Sequence, residues 1–259
     1  MKRIKVKDIL KAKNKKKLIC LTSYSKSVSQ ILDKYCDIIL VGDSVSMVLY
    51  GMPNTRQINL QTMILHAKTV KKYAKRSLVV FDMPFKSYSN KNLAYKNALK
   101  VIKETKCDAV KLEGGTEVAK IIKHLTQKGI SVMGHIGLLP QNSKIFKLQG
   151  KSLKQKKKIF NDAIALSNAG AFALVIECVV ESLAKKITHN ISIPTIGIGA
   201  SRHCDGQILV TEDMIGLTDF SPRFVKKYSN IRKIIEKSVK RYCEDIKNQK
   251  FPSPQNVYI

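Results

Sequence analysis

The sequence predicts an α/β fold, a closed (β/α)₈ barrel of the TIM type with an N-terminal helix, formed by residues 1–259 as one domain. Three observations predict it. Eight short runs rich in Val, Ile and Leu recur along the 259 residues, separated by segments of helical periodicity, the alternation that marks parallel βαβ units. Nearly every run ends in a polar or ionisable residue or in glycines, and in a barrel all parallel strands finish on one face. The length suits one such barrel, and neither a linker nor a repeat marks off a second domain. A doubly wound open sheet is the alternative architecture.

Residues 2–17 alternate Lys with Ile and Val and contain no continuous apolar stretch. They are rich in Lys rather than in Arg and Ser, so they read as a first helix of the fold and not as a signal or transit peptide. The first strand run, 18–24, ends in Ser23 and Tyr24, and the second, 37–43 (DIILVGD), ends in Asp43 with Ser44 next. The third, 77–83, carries LVVFD with Asp82 at its end, and the fourth, 108–114, carries Lys111 and Glu113 in AVKLE. His135 closes run 130–137 and Glu177 closes run 172–177. Run 193–198 leads into Gly197 and Gly199, where backbone can approach a ligand closely, and the eighth run is 207–210. Helices are predicted at 62–74, 92–105, 117–128, 153–170 and 183–190, with a final amphipathic stretch at about 229–246.

Composition narrows the function. At 44% hydrophobic residues the chain has ample material for a core, which excludes a disordered, collagen-like or disulfide-stapled protein. Lys and Arg total 47 against 19 Asp and Glu, a net charge of +28. The 47 comprise 40 Lys and only 7 Arg, scattered through nearly every block, and Trp is absent. Specific nucleic-acid readout favours the bidentate fork of Arg, so the charge reads as a Lys-rich composition with no nucleic-acid partner. The six cysteines show no zinc-site or redox spacing and read as reduced thiols of a cytoplasmic protein. No apolar stretch approaches the ~18 residues of a membrane span.

Asp43, Asp82 and Glu113 are three carboxylates at three strand ends on one predicted face. Burying like charges together is costly unless a cation compensates them. Oxygen ligands without Cys or clustered His suit a hard ion such as Mg²⁺; the alternative is that each acid caps a helix or pairs with a lysine. Lys111 and Glu113 alternate across Leu112 and so point to the same face, where Lys111 would bind a substrate carboxylate or bridge to Glu113. His135 would donate to a carbonyl or fill the barrel interior. Glu177, after the apolar residues of ALVI, is a candidate general base, with an ion pair to a lysine as the structural alternative. These residues alone point to a Mg²⁺-dependent enzyme that abstracts a proton next to the carbonyl of a small oxo-acid.

The motifs VGDSVSMVLYG, VVFDMPF, NALKVIKETKCDAVKLEGG, SVMGHIGLLPQ, NAGAFALVIECV and IPTIGIGASRHCDGQILV closely resemble the ketopantoate hydroxymethyltransferase family, in order and spacing, over residues 4–252. The resemblance implies a (β/α)₈ barrel of the kind found in phosphoenolpyruvate- and pyruvate-binding enzymes, assembled as a decamer. It also implies transfer of a hydroxymethyl group from 5,10-methylenetetrahydrofolate to 3-methyl-2-oxobutanoate, giving 2-dehydropantoate, in pantothenate biosynthesis. By motif, Asp43, Asp82 and Glu113 fall on the Mg²⁺ positions, and Asp43, Ser44, Asp82 and Lys111 on those that contact the oxo-acid. Glu177 falls on the proton acceptor, and His135 would hydrogen-bond near the substrate. The chain departs from the family pattern at Ser25, Arg56-Gln57, Val180 and Ser201, and in a shorter loop after Pro140. A folate-independent, Mg²⁺-dependent carbon–carbon lyase is the rival enzyme, separated by its lack of a folate requirement. A polyanion-binding protein would bind in a salt-sensitive way indifferent to Asp43 and Glu177.

Overall fold

The computed structural model describes residues 2–143 and 147–258, and the chain divides into two compact units, Met1–Val210 and Thr211–Ile259. Part of the loop after Pro140, residues 144–146, lies outside the described residues.

The first unit is the closed, all-parallel eight-stranded barrel that the sequence predicts. Helix α1 (Val6–Leu10) precedes β1 (Leu18–Thr22), followed by α2 (Lys26–Leu32), β2 (Ile38–Val41), α3 (Val45–Val48), α4 (Leu60–Tyr73) and β3 (Leu78–Asp82). Then come α5 (Lys91–Thr105), β4 (Ala109–Glu113), α6 (Thr116–Gln127), β5 (Val132–Gly137), α7 (Leu153–Asn168), β6 (Ala173–Glu177), α8 (Glu181–Asn190), β7 (Thr195–Ile198) and β8 (Gly206–Leu209). Each strand pairs with its sequence neighbours and β8 closes on β1. All eight apolar runs are strands, trimmed by one or two residues at most ends. Pro194 stands just outside β7, as a residue without a ladder N–H should.

The two-residue period of the strands sorts side chains into two cores. Val79, Phe81, Val110 and Leu112 face outward and pack with Ile122 of α6 and Leu166 of α7. Leu78, Val80, Ala109, Met133 and Val175 face inward, and Ile9 of α1 joins them. Continuing the inward series along each strand leads from Leu78 and Val80 to Asp82, from Ala109 to Lys111 and Glu113, from Met133 to His135, and from Val175 to Glu177. The barrel interior therefore changes from hydrocarbon at the strand N-termini to ionisable groups at the C-termini.

Helix α2 is absent from the sequence-based expectation. Its core-facing positions are Ser29 and Leu32, and the buried Ser29 hides the apolar period. The Ser29 hydroxyl donates to Ser25 carbonyl oxygen at 2.6 Å and lies 2.9 Å from Ser23 Oγ, so it is satisfied in the core. The six cysteines are free thiols.

The second unit holds α9 (Thr211–Met214) and the long helix α10 (Ile231–Lys247), matching the predicted C-terminal amphipathic stretch. Asn230 caps α10 by accepting from Lys233 N–H. No residue of α10 is buried, and its apolar stripe of Ile235, Val239, Tyr242 and Ile246 stands exposed. Among the described residues no helix is long and apolar enough to cross a membrane.

Candidate active site

Strand register builds the site. Asp82 of β3 lies opposite Lys111 of β4, Glu113 of β4 opposite His135 of β5, and Gly137 of β5 opposite Glu177 of β6. Lys111 Nζ sits 2.7 and 2.8 Å from the two oxygens of Asp82 and 3.8 Å from Glu113 Oε1. Its main partner is thus Asp82 across the strand pair, with the Glu113 contact longer. His135 stands between two acids, Nδ1 at 3.4 Å from Glu113 and Nε2 at 3.2 Å from Glu177. Neither ring nitrogen makes a well-directed hydrogen bond among the described residues, so these are ion-pair contacts. Glu177's partner is a histidine, in place of the lysine that the structural alternative supposed.

Asp43 follows β2 and approaches β3, its backbone N–H 3.3 Å from Asp82 Oδ2. Ser44, next in the chain, has its hydroxyl 2.7 Å from Tyr24 OH. The seven residues singled out by sequence therefore gather at one end of the barrel, all but Ser44 buried.

Two further residues complete the network. Gln141, wholly buried, donates from Nε2 to Asp43 Oδ2 at 2.8 Å and to Met83 carbonyl oxygen at 2.9 Å, and its backbone N–H donates to Glu113 Oε2 at 3.1 Å. Tyr88 fixes that amide by donating its hydroxyl to Gln141 Oε1 at 2.5 Å, while accepting from Glu113 N–H at 3.3 Å. Gln141 closes the SVMGHIGLLPQ motif, which is the one signal that marked its segment. Nothing local marked Tyr88.

The electrostatics follow from crowding. Burial, then the Asp82 and Glu113 charges, push the Asp43 carboxyl well above its ordinary value. Asp82 is also raised, burial outweighing the Lys111 ammonium. Burial would lower Lys111, yet the charges of Asp82, Glu113 and Asp43 overcome it and hold the ammonium firmly protonated. His135 is raised to about 9, because Glu113 and Glu177 outweigh the effects of burial and of Lys111. Glu113 is lowered by His135, Lys111 and the Gln141 N–H, against its burial.

Four carboxylates against two cations leave two negative charges in a buried cluster. A divalent cation would neutralise them, and the same crowding is what raises the carboxyls of Asp43 and Asp82. Among the described residues no three His, Cys, Asp or Glu side chains converge to hold a metal by themselves. The adjacent Asp43 and Asp82 nevertheless fit Mg²⁺, which is commonly held by one or two carboxylates with water and substrate completing its shell.

The sequence profile of ketopantoate hydroxymethyltransferase matches residues 3–254. The chain belongs to this family. It is 49% identical over 254 residues to 3-methyl-2-oxobutanoate hydroxymethyltransferase of Pelagibacter ubique (strain HTCC1062), covering 98% of this chain and 99% of that protein. It is 47% identical over 263 residues to the enzyme of the same name from Phenylobacterium zucineum (strain HLK1), covering 100% and 96%. Among solved structures, phosphonopyruvate hydrolase in complex with oxalate and Mg²⁺ is similar with a TM-score of 0.64 at 10% identity, over 99% of this chain and 93% of that one. A 2,3-dimethylmalate lyase of the phosphoenolpyruvate mutase/isocitrate lyase superfamily gives 0.63 at 11% identity, over 99% and 90%. At such identities these two carry the fold alone. The family members, by contrast, share the sequence along nearly the full chain.

Proposed function

We propose that this site transfers a hydroxymethyl group from 5,10-methylenetetrahydrofolate to 3-methyl-2-oxobutanoate, giving 2-dehydropantoate, with Mg²⁺ as its metal. The observation that carries the reading is the buried cluster of four acids with Lys111 and His135 at the strand C-termini of a chain in the ketopantoate hydroxymethyltransferase family. Asp43 and Asp82 would hold the cation, with Glu113 supplying a third negative charge beside them. When bound, the cation supplies Lewis-acid polarisation of the oxo-acid carbonyl, which acidifies the C3 hydrogen. Lys111 and Ser44 would bind the oxo-acid carboxylate. Lys111 suits that role because three acids keep it charged.

Glu177 would accept the C3 proton, and C3 then bonds to the methylene carbon of the folate as that carbon's bonds to N5 and N10 break, with water supplying the hydroxyl oxygen and tetrahydrofolate leaving. Its side chain is 10% exposed, against 2% for Asp82 and 1% for Glu113, so it is the most open of these three acids to an incoming substrate. His135 positions Glu177 from the inner side at 3.2 Å, and Glu113 holds His135 in turn. A positioned base contributes ~10²–10⁴ in rate.

The proposed setting is cytoplasmic, and the proposed assembly is the family's decamer. The exposed stripe of Ile235, Val239, Tyr242 and Ile246 on α10 supports subunit contact. The test is an assay of the purified protein with 3-methyl-2-oxobutanoate, 5,10-methylenetetrahydrofolate and Mg²⁺, repeated with EDTA and without folate. Product that requires both folate and metal supports the reading, whereas turnover of oxo-acids without folate would establish the lyase in its place.

A further inference from the structure

Beside the acid cluster lies a cavity of about 190 Å³ that the residues above do not use, lined by Met47, Pro53, Asn54, Thr55, Arg56 and Pro140. Short lengths of chain join it to the site. Met47 belongs to α3, one turn after Asp43, and Pro140 precedes Gln141, whose amide holds Asp43. Two features mark it as built to receive a ligand.

The first is Thr55, only 3% exposed, whose hydroxyl has no hydrogen-bond partner among the described residues. A buried hydroxyl left in this state is costly unless something else satisfies it. The second is Arg56, whose guanidinium lies 4.5 Å from the centre of the Phe85 ring. Its backbone N–H donates to Asn54 Oδ1 at 3.0 Å, which fixes the base of the side chain. Arg3, Arg76, Arg202 and Arg232 each lie within ion-pair distance of an acid, whereas among the described residues Arg56, like Arg223 and Arg241, has no such partner, so its charge is available to a ligand. A guanidinium stacked on an aromatic face keeps its planar fork pre-organised for a carboxylate.

Resting on the transferase reading, we infer that this cavity seats the p-aminobenzoylglutamate tail of the folate co-substrate. Arg56 pairs with the glutamate carboxylate and the Thr55 hydroxyl bonds a polar atom of the tail. The charge matches, because the tail bears the carboxylates while the pterin bears none. The size matches too: 190 Å³ is below the ~300–1,000 Å³ that encloses a whole ligand of that kind, so the cavity takes one part of it. The flat aminobenzoyl ring meets the apolar walls of Met47, Pro53 and Pro140. The transferred methylene lies between pterin and aminobenzoyl, so seating the tail here leaves the methylene towards the neighbouring acids.

The experiment compares wild type, Arg56→Gln, Arg56→Lys and Thr55→Val as full-length protein with Mg²⁺. It uses 5,10-methylenetetrahydrofolate and a truncated analogue in which a neutral amide replaces the glutamate, so that its tail carries no carboxylate. Arg56→Gln is expected to raise the folate KM about tenfold, with kcat and the oxo-acid KM unchanged, and to leave the KM for the truncated analogue as in wild type. Arg56→Lys recovers part of the loss, and Thr55→Val raises the folate KM without lowering Tm. Unchanged folate KM in both Arg56→Gln and Thr55→Val overturns the assignment. So does an Arg56→Gln loss that is as large for the truncated analogue, which would be a structural effect. Titration with tetrahydrofolate reads the same differences without turnover. Binding through Arg56 with no product counts against the reaction and not the cavity, whereas product formation indifferent to Arg56 counts against the cavity alone.

Discussion

The two ends of the barrel use the same residue type for opposite purposes. At the strand N-termini, Asp37, Asp108 and Asp205 stand just before β2, β4 and β8, and each accepts a backbone N–H from the preceding strand, Ile19, Val79 and Thr195 respectively. Each also has a lysine of its own: Lys16, Lys71 and Lys13. At the C-termini, Asp43, Asp82, Glu113 and Glu177 crowd one cluster and share Lys111 and His135. Asp205 is held below the ordinary carboxylate range by backbone N–H groups and Lys13, against its burial. Asp108 is raised, but by burial and not by a neighbouring acid. Asp43 is raised by burial and by its neighbours Asp82 and Glu113. Satisfied acids spaced around one rim clasp strand to strand. Crowded acids at the other rim carry unresolved charge, which is what a cation or a substrate proton can use.

The largest effect that would sharpen this contrast is on rate. Glu177→Gln keeps the side-chain shape but removes the proposed acceptor of the C3 proton, so kcat is expected to fall ~10²–10⁴-fold with Tm within a few degrees of wild type. A variant that keeps more than a tenth of the rate would remove Glu177 from the chemistry. Asp43→Asn comes next. Mg²⁺ affinity, read by titrating activity against free metal, should drop by at least the roughly 10–100-fold that loss of even an outer-shell partner costs. Because the substitution removes one of the mutually repelling charges, Tm in EDTA should hold or rise. A fall in Tm would instead make Asp43 a clasp like those at the far rim.

How much of this was legible depends on whether the cause is local. The eight strands follow from apolar runs that carry their own period, and the acids after LVVF, AVKL and ALVI announced themselves because a carboxylate rarely follows so much hydrocarbon without a reason. Helix α2 stayed hidden because Ser29 faces the core where the period asks for a hydrocarbon. That Glu177 meets His135 and not a lysine is a matter of β5–β6 register, which no single run contains. Gln141 is 98 residues from Asp43 in the chain, and Tyr88 is 53 from Gln141. Their roles arise only when the loops after β2, β3 and β5 meet at one rim.

Gly137 tests the active rim through backbone alone. It sits opposite Glu177 with φ of +94°, and a Cβ there would come 2.3 Å from Glu177 carbonyl oxygen. Gly137→Ala must move the chain that carries Glu177 and also strain its own backbone. Stability is expected to fall by about 1–3 kcal/mol in urea unfolding, with kcat down at least about tenfold in the protein that remains folded. Full activity would show that Glu177 tolerates displacement.

Asp205→Asn probes the opposite rim and carries the smallest effect on function. Asp205 accepts from Thr195 N–H at 2.9 Å and Asn14 N–H at 3.0 Å and pairs with Lys13 at 2.9 Å. The variant should lose about 1–3 kcal/mol of stability while kcat and both KM values stay at wild type. The pH dependence has a definite sign. The folded carboxyl titrates below its unfolded value of ~3.9, so its contribution is complete above that pH and is lost as pH falls through the folded value. The stability gap between wild type and Asp205→Asn should therefore be constant from about pH 7 to about pH 5 and shrink below about pH 4. A gap that widens in acid would mean that Asp205 behaves as the raised Asp43 and Asp82 of the active rim do, and the distinction between the two ends would fail at this residue.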